Sequence, residues 1–180
     1  GRYRFKGDIQ LFLFFLVGLM VAPQIIMISI YQWLSTLHLI DSYIGIIFAY
    51  WSWTPLGILI LTTSFRNLPK DLEEAARIDG CSEWMIFWRV MLPLVTPGLA
   101  TVGIFQFVSI WNDFVLPLIV LQSPGKNVIA LGVMALKDQF TVDWGLQTAA
   151  LSIATIPPLV LYYVFQKQFI RGITAGAIKG

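Results

Sequence analysis

The sequence predicts an all-α fold, a polytopic transmembrane helix bundle, and three observations carry that expectation. Of the 180 residues, 57% are hydrophobic and only 12% charged, with a mean hydropathy of +0.76; a soluble domain is about one quarter charged. The apolar residues gather in runs long enough to cross a bilayer, which takes about 20 residues as a helix. A single large core would account for the percentage but not for the run lengths. Thirdly, the basic residues fall between alternate runs, as membrane topology requires.

Four spans are expected, at residues 9–34, 44–65, 93–121 and 146–169. The first carries Pro23-Gln24 near its middle, and the second carries Trp51, Trp53 and Pro55. The third is interrupted by Pro97, Asn112-Asp113 and Pro117, and the fourth crosses Pro157-Pro158. Breaks of this kind persist in lipid where neighbouring helices or a water-lined cavity satisfy the freed carbonyls. Helices packed around a path and merely kinked structural helices both fit that pattern.

Ten of the twelve Lys and Arg residues lie on one side of these spans. Arg2, Arg4 and Lys6 precede the first; Arg66, Lys70, Arg77 and Arg89 flank or occupy the connection between the second and third; Lys167, Arg171 and Lys179 close the chain. The opposite connections hold none at 36–43 and two, Lys126 and Lys137, at 122–145. The positive-inside rule then places both ends and the central loop on the cytoplasmic side of the membrane. Tyr31, Trp33, Tyr43 and Trp144 fall where an outer aromatic belt would sit.

The central loop, residues 67–93, is expected to form a short helix, a glycine turn and an amphipathic helix leading back to the membrane. Asp71 and Glu74 have capping-box spacing, and the acids at 71, 73 and 74 suit the positive end of a helix. Gly80 is placed to end that helix in a left-handed conformation. Ser82 can cap a second helix through Trp84, Phe87 and Trp88, and Pro93 marks re-entry. Leu72, Ala75, Ala76 and Asp79 share one helical face of small and apolar residues. That face suits either another protein or the chain's own bundle.

The string Glu74-Ala75-Ala76, Gly80, Val90 and Leu92-Pro93 resembles the EAA loop of ABC importer permeases; Val90 stands where isoleucine is usual. Residues 72–84, the segment Ser109-Ile110-Trp111-Asn112-Asp113-Phe114 and the ending 171–180 resemble the carbohydrate branch, in particular the second permease of maltose-type importers. The family more often has Glu at the position of Asp113. The resemblance covers essentially the whole chain and implies a type I ABC importer permease fold. Such permeases have six spans, and this chain is similar to the last four. With Gly1 in place of a methionine and no signal-peptide pattern, the chain is expected to begin inside a larger protein, as a partial transmembrane domain spanning 1–180.

The resemblance implies that the loop docks into a cleft of a cytoplasmic ABC ATPase subunit, with Glu74, Ala75, Ala76, Asp79, Gly80, Leu92 and Pro93 as the docking residues. Glu74 would accept a charge-assisted hydrogen bond from a basic partner group. It further implies a second permease subunit, an extracytoplasmic solute-binding protein and a sugar as cargo. The chain carries no GxxxxGK[ST] phosphate loop, and Gly125-Lys126-Asn127 is not one. ATP is therefore expected on the partner, with no cofactor of the chain's own, and the subunit is not an enzyme. One cysteine and one histidine allow neither an internal disulfide nor a metal cluster of usual ligand count; no nucleic-acid partner is expected.

Asp113 is the one acid inside a span, a functional candidate by default. Asn112 and Asp113 could face the translocation path, or serve as glue between helices. Gln106, Gln147 and Ser152 are weaker candidates, expected to hydrogen-bond between helices. His38 is expected at the surface, and Cys81 as a small packing residue. Residues 122–145 could touch the binding protein or simply connect two spans. Competing functions are an ion-coupled transporter or channel with Asp113 as its ion site, an ABC permease for amino acids, peptides or polyamines, and a membrane scaffold.

Overall fold

A computed structural model describes residues 5–52, 54–123, 125–136 and 143–177, with 167–177 described as backbone only. Arg2, Arg4, Trp53, Lys137, Asp138 and Lys179 lie outside the described residues. The architecture is helical, with no strand among the described residues. In order, the helices are α1 (Asp8–Met20), α2 (Pro23–Thr36), α3 (Tyr43–Ser52), α4 (Pro55–Arg66), α5 (Asp71–Ile78) and α6 (Glu83–Ile86). A π-helical turn (Phe87–Met91) leads to α7 (Leu92–Leu94), α8 (Thr96–Trp111), α9 (Val115–Val120), α10 (Ile129–Ala135) and α11 (Trp144–Ala177).

By length and composition one helix can cross a membrane alone, Trp144–Gln166 within α11, and up to four spans result if each of three interrupted helix pairs counts as one. None of the apolar window of α11 is buried. A helix apolar on all sides and uncovered belongs in lipid or against other helices. Exposed Phe14, Met20, Ile25, Trp51 and Ile153 tell the same story along the chain.

The prolines divide into two kinds that the sequence expectation had treated as one. Pro23 opens α2, Pro55 opens α4, and Pro97 lies in the first turn of α8. There the missing N–H costs nothing, because first-turn amides have no helical partner anyway. The first two expected spans are accordingly each two helices in sequence, not one kinked helix. Pro157 and Pro158, by contrast, stand deep inside α11. The third expected span also divides: α8 ends at Trp111, and Asn112, Asp113 and Phe114 separate it from α9.

The chain forms two compact units, residues 1–20, 55–105 and 164–180, and residues 21–54 and 106–163. In the first, α1 lies along α4, with the Arg66 guanidinium 5.0 Å above the Phe12 ring. Gly98 of α8 approaches α4 so closely that a Cβ there would fall 2.5 Å from Ser64 Oγ, the small-residue contact by which membrane helices pack. In the second unit, Leu34, Ile46, Ala49, Leu116, Val120 and Leu121 form the core. Gly45 lets the preceding loop cross α3, since a Cβ would sit 2.2 Å from the Leu39 carbonyl oxygen.

Candidate functional site

The central loop folds as a closed hairpin. Helix α5 ends in a Schellman arrangement: the Gly80 N–H bonds the Arg77 carbonyl and the Cys81 N–H bonds the Ala76 carbonyl, each at 3.0 Å. Gly80 supplies the left-handed residue this needs, with φ +79°. Ser82 caps α6, its Oγ accepting from the Met85 N–H at 3.3 Å. Arg77 clasps the two arms, donating from Nε and Nη2 to the Glu83 carboxylate at 2.6 and 3.2 Å. Ala76, Ile86 and Met91 make a small core, joined by Phe65, Leu68, Cys81 and Val90. The expected capping box does not form: Lys70 stands at the N-cap in α conformation without a side-chain cap bond. The chain already turns at Lys70, whose carbonyl receives the Glu73 and Glu74 N–H groups, so Asp71 is a first-turn residue whose charge suits the helix end.

Before Pro93 the helix widens. The Leu92 N–H reaches back five residues to the Phe87 carbonyl, and Pro93 has no N–H with which to bond the Arg89 carbonyl. A π turn is how a helix absorbs such a fault without stopping.

The expected face of Leu72, Ala75, Ala76 and Asp79 is split by this packing. Ala76 is turned into the hairpin core at 7% exposure, and Glu73 is buried beside it, 3.7 Å from Arg77. Glu74, Ala75, Asp79 and Gly80 are exposed, and so is Ile78, at 85%. Leu92 is half-buried and Pro93 exposed. The hairpin thus has an inner side that closes on itself and an outer side that presents acids (Glu74, Asp79), small residues (Ala75, Gly80) and one large apolar residue, Ile78.

In the second unit, the break after α8 borders a cavity of about 460 Å³. Gln24, Tyr50, Gln106, Ser109, Asn112 and Asp113 supply its polar lining. Asp113 is half-buried. Its Oδ2 accepts from the Tyr50 hydroxyl at 3.0 Å, and its Oδ1 accepts from the Val115 and Leu116 N–H groups at 3.0 and 3.4 Å, opening α9. Asn112 donates to the Val108 carbonyl of its own helix at 2.9 Å. The two residues therefore border a cavity while also holding the break in shape, and the partner of Asp113 is Tyr50, not Asn112. Ser152 bonds the Thr148 carbonyl within α11, so its printed bond does not run between helices. Gln106 lines the cavity.

Sequence reasoning missed the rim of this unit. Asp41, left-handed at φ +56°, receives the Gln122 and Ser123 N–H groups at 3.0 Å each, the Ser123 hydroxyl, and the Lys126 ammonium at 3.0 Å. The Ser123 hydroxyl, then the Ser123 N–H and Lys126, hold the Asp41 carboxyl well below the usual carboxylate range. This clamp ties the expected outer loops 36–43 and 122–145 together; the second also holds α10, which no sequence signal had marked. An aspartate in a short loop is too common a feature to announce such a role. His38 is exposed, and also left-handed at φ +54°. Cys81 packs against the hairpin core, as expected.

A helical membrane protein with this loop has known relatives. The family described as binding-protein-dependent transport system inner membrane component matches residues 1–175, and the chain belongs to that family. "Probable ABC transporter permease protein YurM" of Bacillus subtilis is 34% identical over 181 positions, covering 100% of this chain and 60% of that protein. The arabinooligosaccharides transport system permease protein AraQ of the same organism is 34% identical over 178 positions, covering 99% and 63%. The diacetylchitobiose uptake system permease protein DasC of Streptomyces coelicolor is 33% identical over 181 positions, covering 100% and 66%. The chain spans about 60% of the length of the first of these curated relatives. These relatives are permeases, transport proteins and not enzymes.

Proposed function

We propose that this chain forms part of the membrane pathway of an ATP-driven, binding-protein-dependent importer whose cargo is a sugar. The outer side of the hairpin docks onto a separate ATPase subunit, which binds the ATP. The observation that carries the reading is the exposed set Glu74, Ala75 and Ile78 on a hairpin whose own core is already complete. Small and acidic residues there suit close approach by a basic partner surface. A second permease subunit and an extracytoplasmic binding protein complete the assembly, and the positive-inside bias puts the hairpin on the cytoplasmic side of a prokaryotic plasma membrane. The sugar cargo rests on the oligosaccharides in the names of AraQ and DasC. The cavity beside Asn112 and Asp113 combines polar groups with open volume, and we assign it to the translocation path.

Against an ion-coupled mechanism stands the occupation of both Asp113 oxygens by Tyr50 and the start of α9. The docking claim is tested by Glu74→Lys in the full-length subunit. Solute uptake and co-purification of the ATPase subunit are both expected to fall at least tenfold, the loss of one charge-assisted hydrogen bond plus a repulsion. Undiminished co-purification would remove Glu74 from the interface.

A further inference from the structure

In an unbroken helix the N–H of residue 158 would bond the carbonyl of Ala154, four residues earlier. Pro158 has no N–H, and its ring presses against that same carbonyl. Helix α11 nevertheless runs on through Pro157-Pro158, which leaves the carbonyls of Ile153 and Ala154 without their usual donors in an apolar helix, where lipid offers no replacement. Trp111 supplies one: its indole Nε1–H donates to the Ala154 carbonyl oxygen at 3.0 Å. The indole is a donor only, so its chemistry matches an orphaned carbonyl. Its ring is steadied by Phe107, one helical turn earlier, with centroids 5.3 Å apart and planes inclined by 22°. Trp111 is also the last residue of α8, next to the Asn112-Asp113-Phe114 break that borders the cavity.

We propose that Trp111 is a latch on a hinge in α11 at Pro157-Pro158. With the bond made, α11 is held in the conformation described here and the end of α8 is pinned to it. With the bond broken, α11 is free to bend at the prolines and the cavity wall is released together with it. Two simpler designs would have filled the same space. A phenylalanine at 111 would pack without donating, and a residue other than proline at 158 would satisfy Ala154 permanently from within the helix. The present arrangement satisfies the carbonyl through one side-chain bond that can open. Such a bond shifts an equilibrium by roughly tenfold, enough to set a population and too little to lock it.

The test is amide hydrogen exchange on the full-length subunit in lipid, with no solute and no ATP, so that its outcome is separate from that of the transporter reading. Trp111→Phe keeps an aromatic ring, though a smaller one, and removes the donor. Pro158→Ala returns a backbone N–H to the Ala154 carbonyl. Trp111→Phe is expected to raise exchange at residues 159–163 about tenfold. In the Pro158→Ala background the same substitution is expected to change it by less than about twofold. Unchanged exchange at 159–163 in Trp111→Phe, or an equal rise in both backgrounds, overturns the latch. If Trp111→Phe fails to accumulate, recovery of folded protein on adding Pro158→Ala supports the latch, and failure of the double variant as well overturns it.

Discussion

The hairpin at 71–95 and the break around Asp113 both place polar side chains in a mainly apolar chain, and they use them in opposite ways. In the hairpin, closure is achieved by Gly80, the Ser82 cap and the Arg77–Glu83 pair, which leaves Glu74 outside that closure. At the break, Asp113 is itself the closure: it holds Tyr50 and starts α9. An acid next to a cavity is thus engaged in the fold, while an acid on a loop helix is available to a partner. Position in a span is a weaker guide to use than whether the backbone nearby can satisfy itself without that side chain.

The largest effect that would sharpen this contrast is on the Asp113 side. Asp113→Ala strands the Tyr50 hydroxyl and the Val115 N–H together, a loss of about 3 kcal/mol. Thermal unfolding in detergent should show it, with Asp113→Asn retaining part of the stability because its amide oxygen still accepts. If Asp113→Ala melts like the parent protein, the break is held by something else and the contrast fails.

A smaller loss is expected in the hairpin from Gly80→Val. A Cβ at Gly80 meets nothing within 4 Å, so the whole penalty is conformational, about 1–2 kcal/mol for forcing a branched residue left-handed. Gly80→Asn, which tolerates that conformation better, should lose clearly less by the same melting measurement. Equal losses for Val and Asn would mean that space, not φ, governs the position.

Most of the hairpin was legible in the sequence and little of the break was. Gly80, Ser82 and Cys81 act within a few residues of themselves, through helix-end chemistry that a one-dimensional pattern records. Tyr50 and Asp113 are 63 residues apart, Trp111 and Ala154 are 43 apart, and Asp41 and Ser123 are 82 apart. Pairings of that length depend on how helices pack, and no local signal marks them. The sequence did show that Pro158 would free a carbonyl; it did not show which donor would arrive. The inner and outer sides of α5 were also beyond it, because Ala75 and Ala76 are identical residues whose difference is made by Ile86 and Met91.

The smallest effect concerns the rim of the second unit. The folded-state Asp41 carboxyl is held below its ordinary value near 3.9. Its contribution to stability is therefore complete above about pH 5 and fades as pH falls below about 4. The difference in melting temperature between the parent protein and Asp41→Asn should be constant from pH 7 to about pH 5 and shrink below about pH 4. A difference that grows on acidification would reverse the sign and discard the clamp.

In the proposed assembly, α5 gives one side to the fold and the other to a partner. Single cysteines at two adjacent alanines test it most directly, in a full-length subunit whose own Cys81 is replaced by alanine. At position 75 the thiol should react with a water-soluble maleimide and form a cross-link to the ATPase subunit in the assembled transporter. At position 76 it should do neither, since that side chain is 7% exposed inside the hairpin core. Cross-linking from Ala76→Cys, or none from Ala75→Cys while uptake remains normal, would contradict the assignment of the two sides.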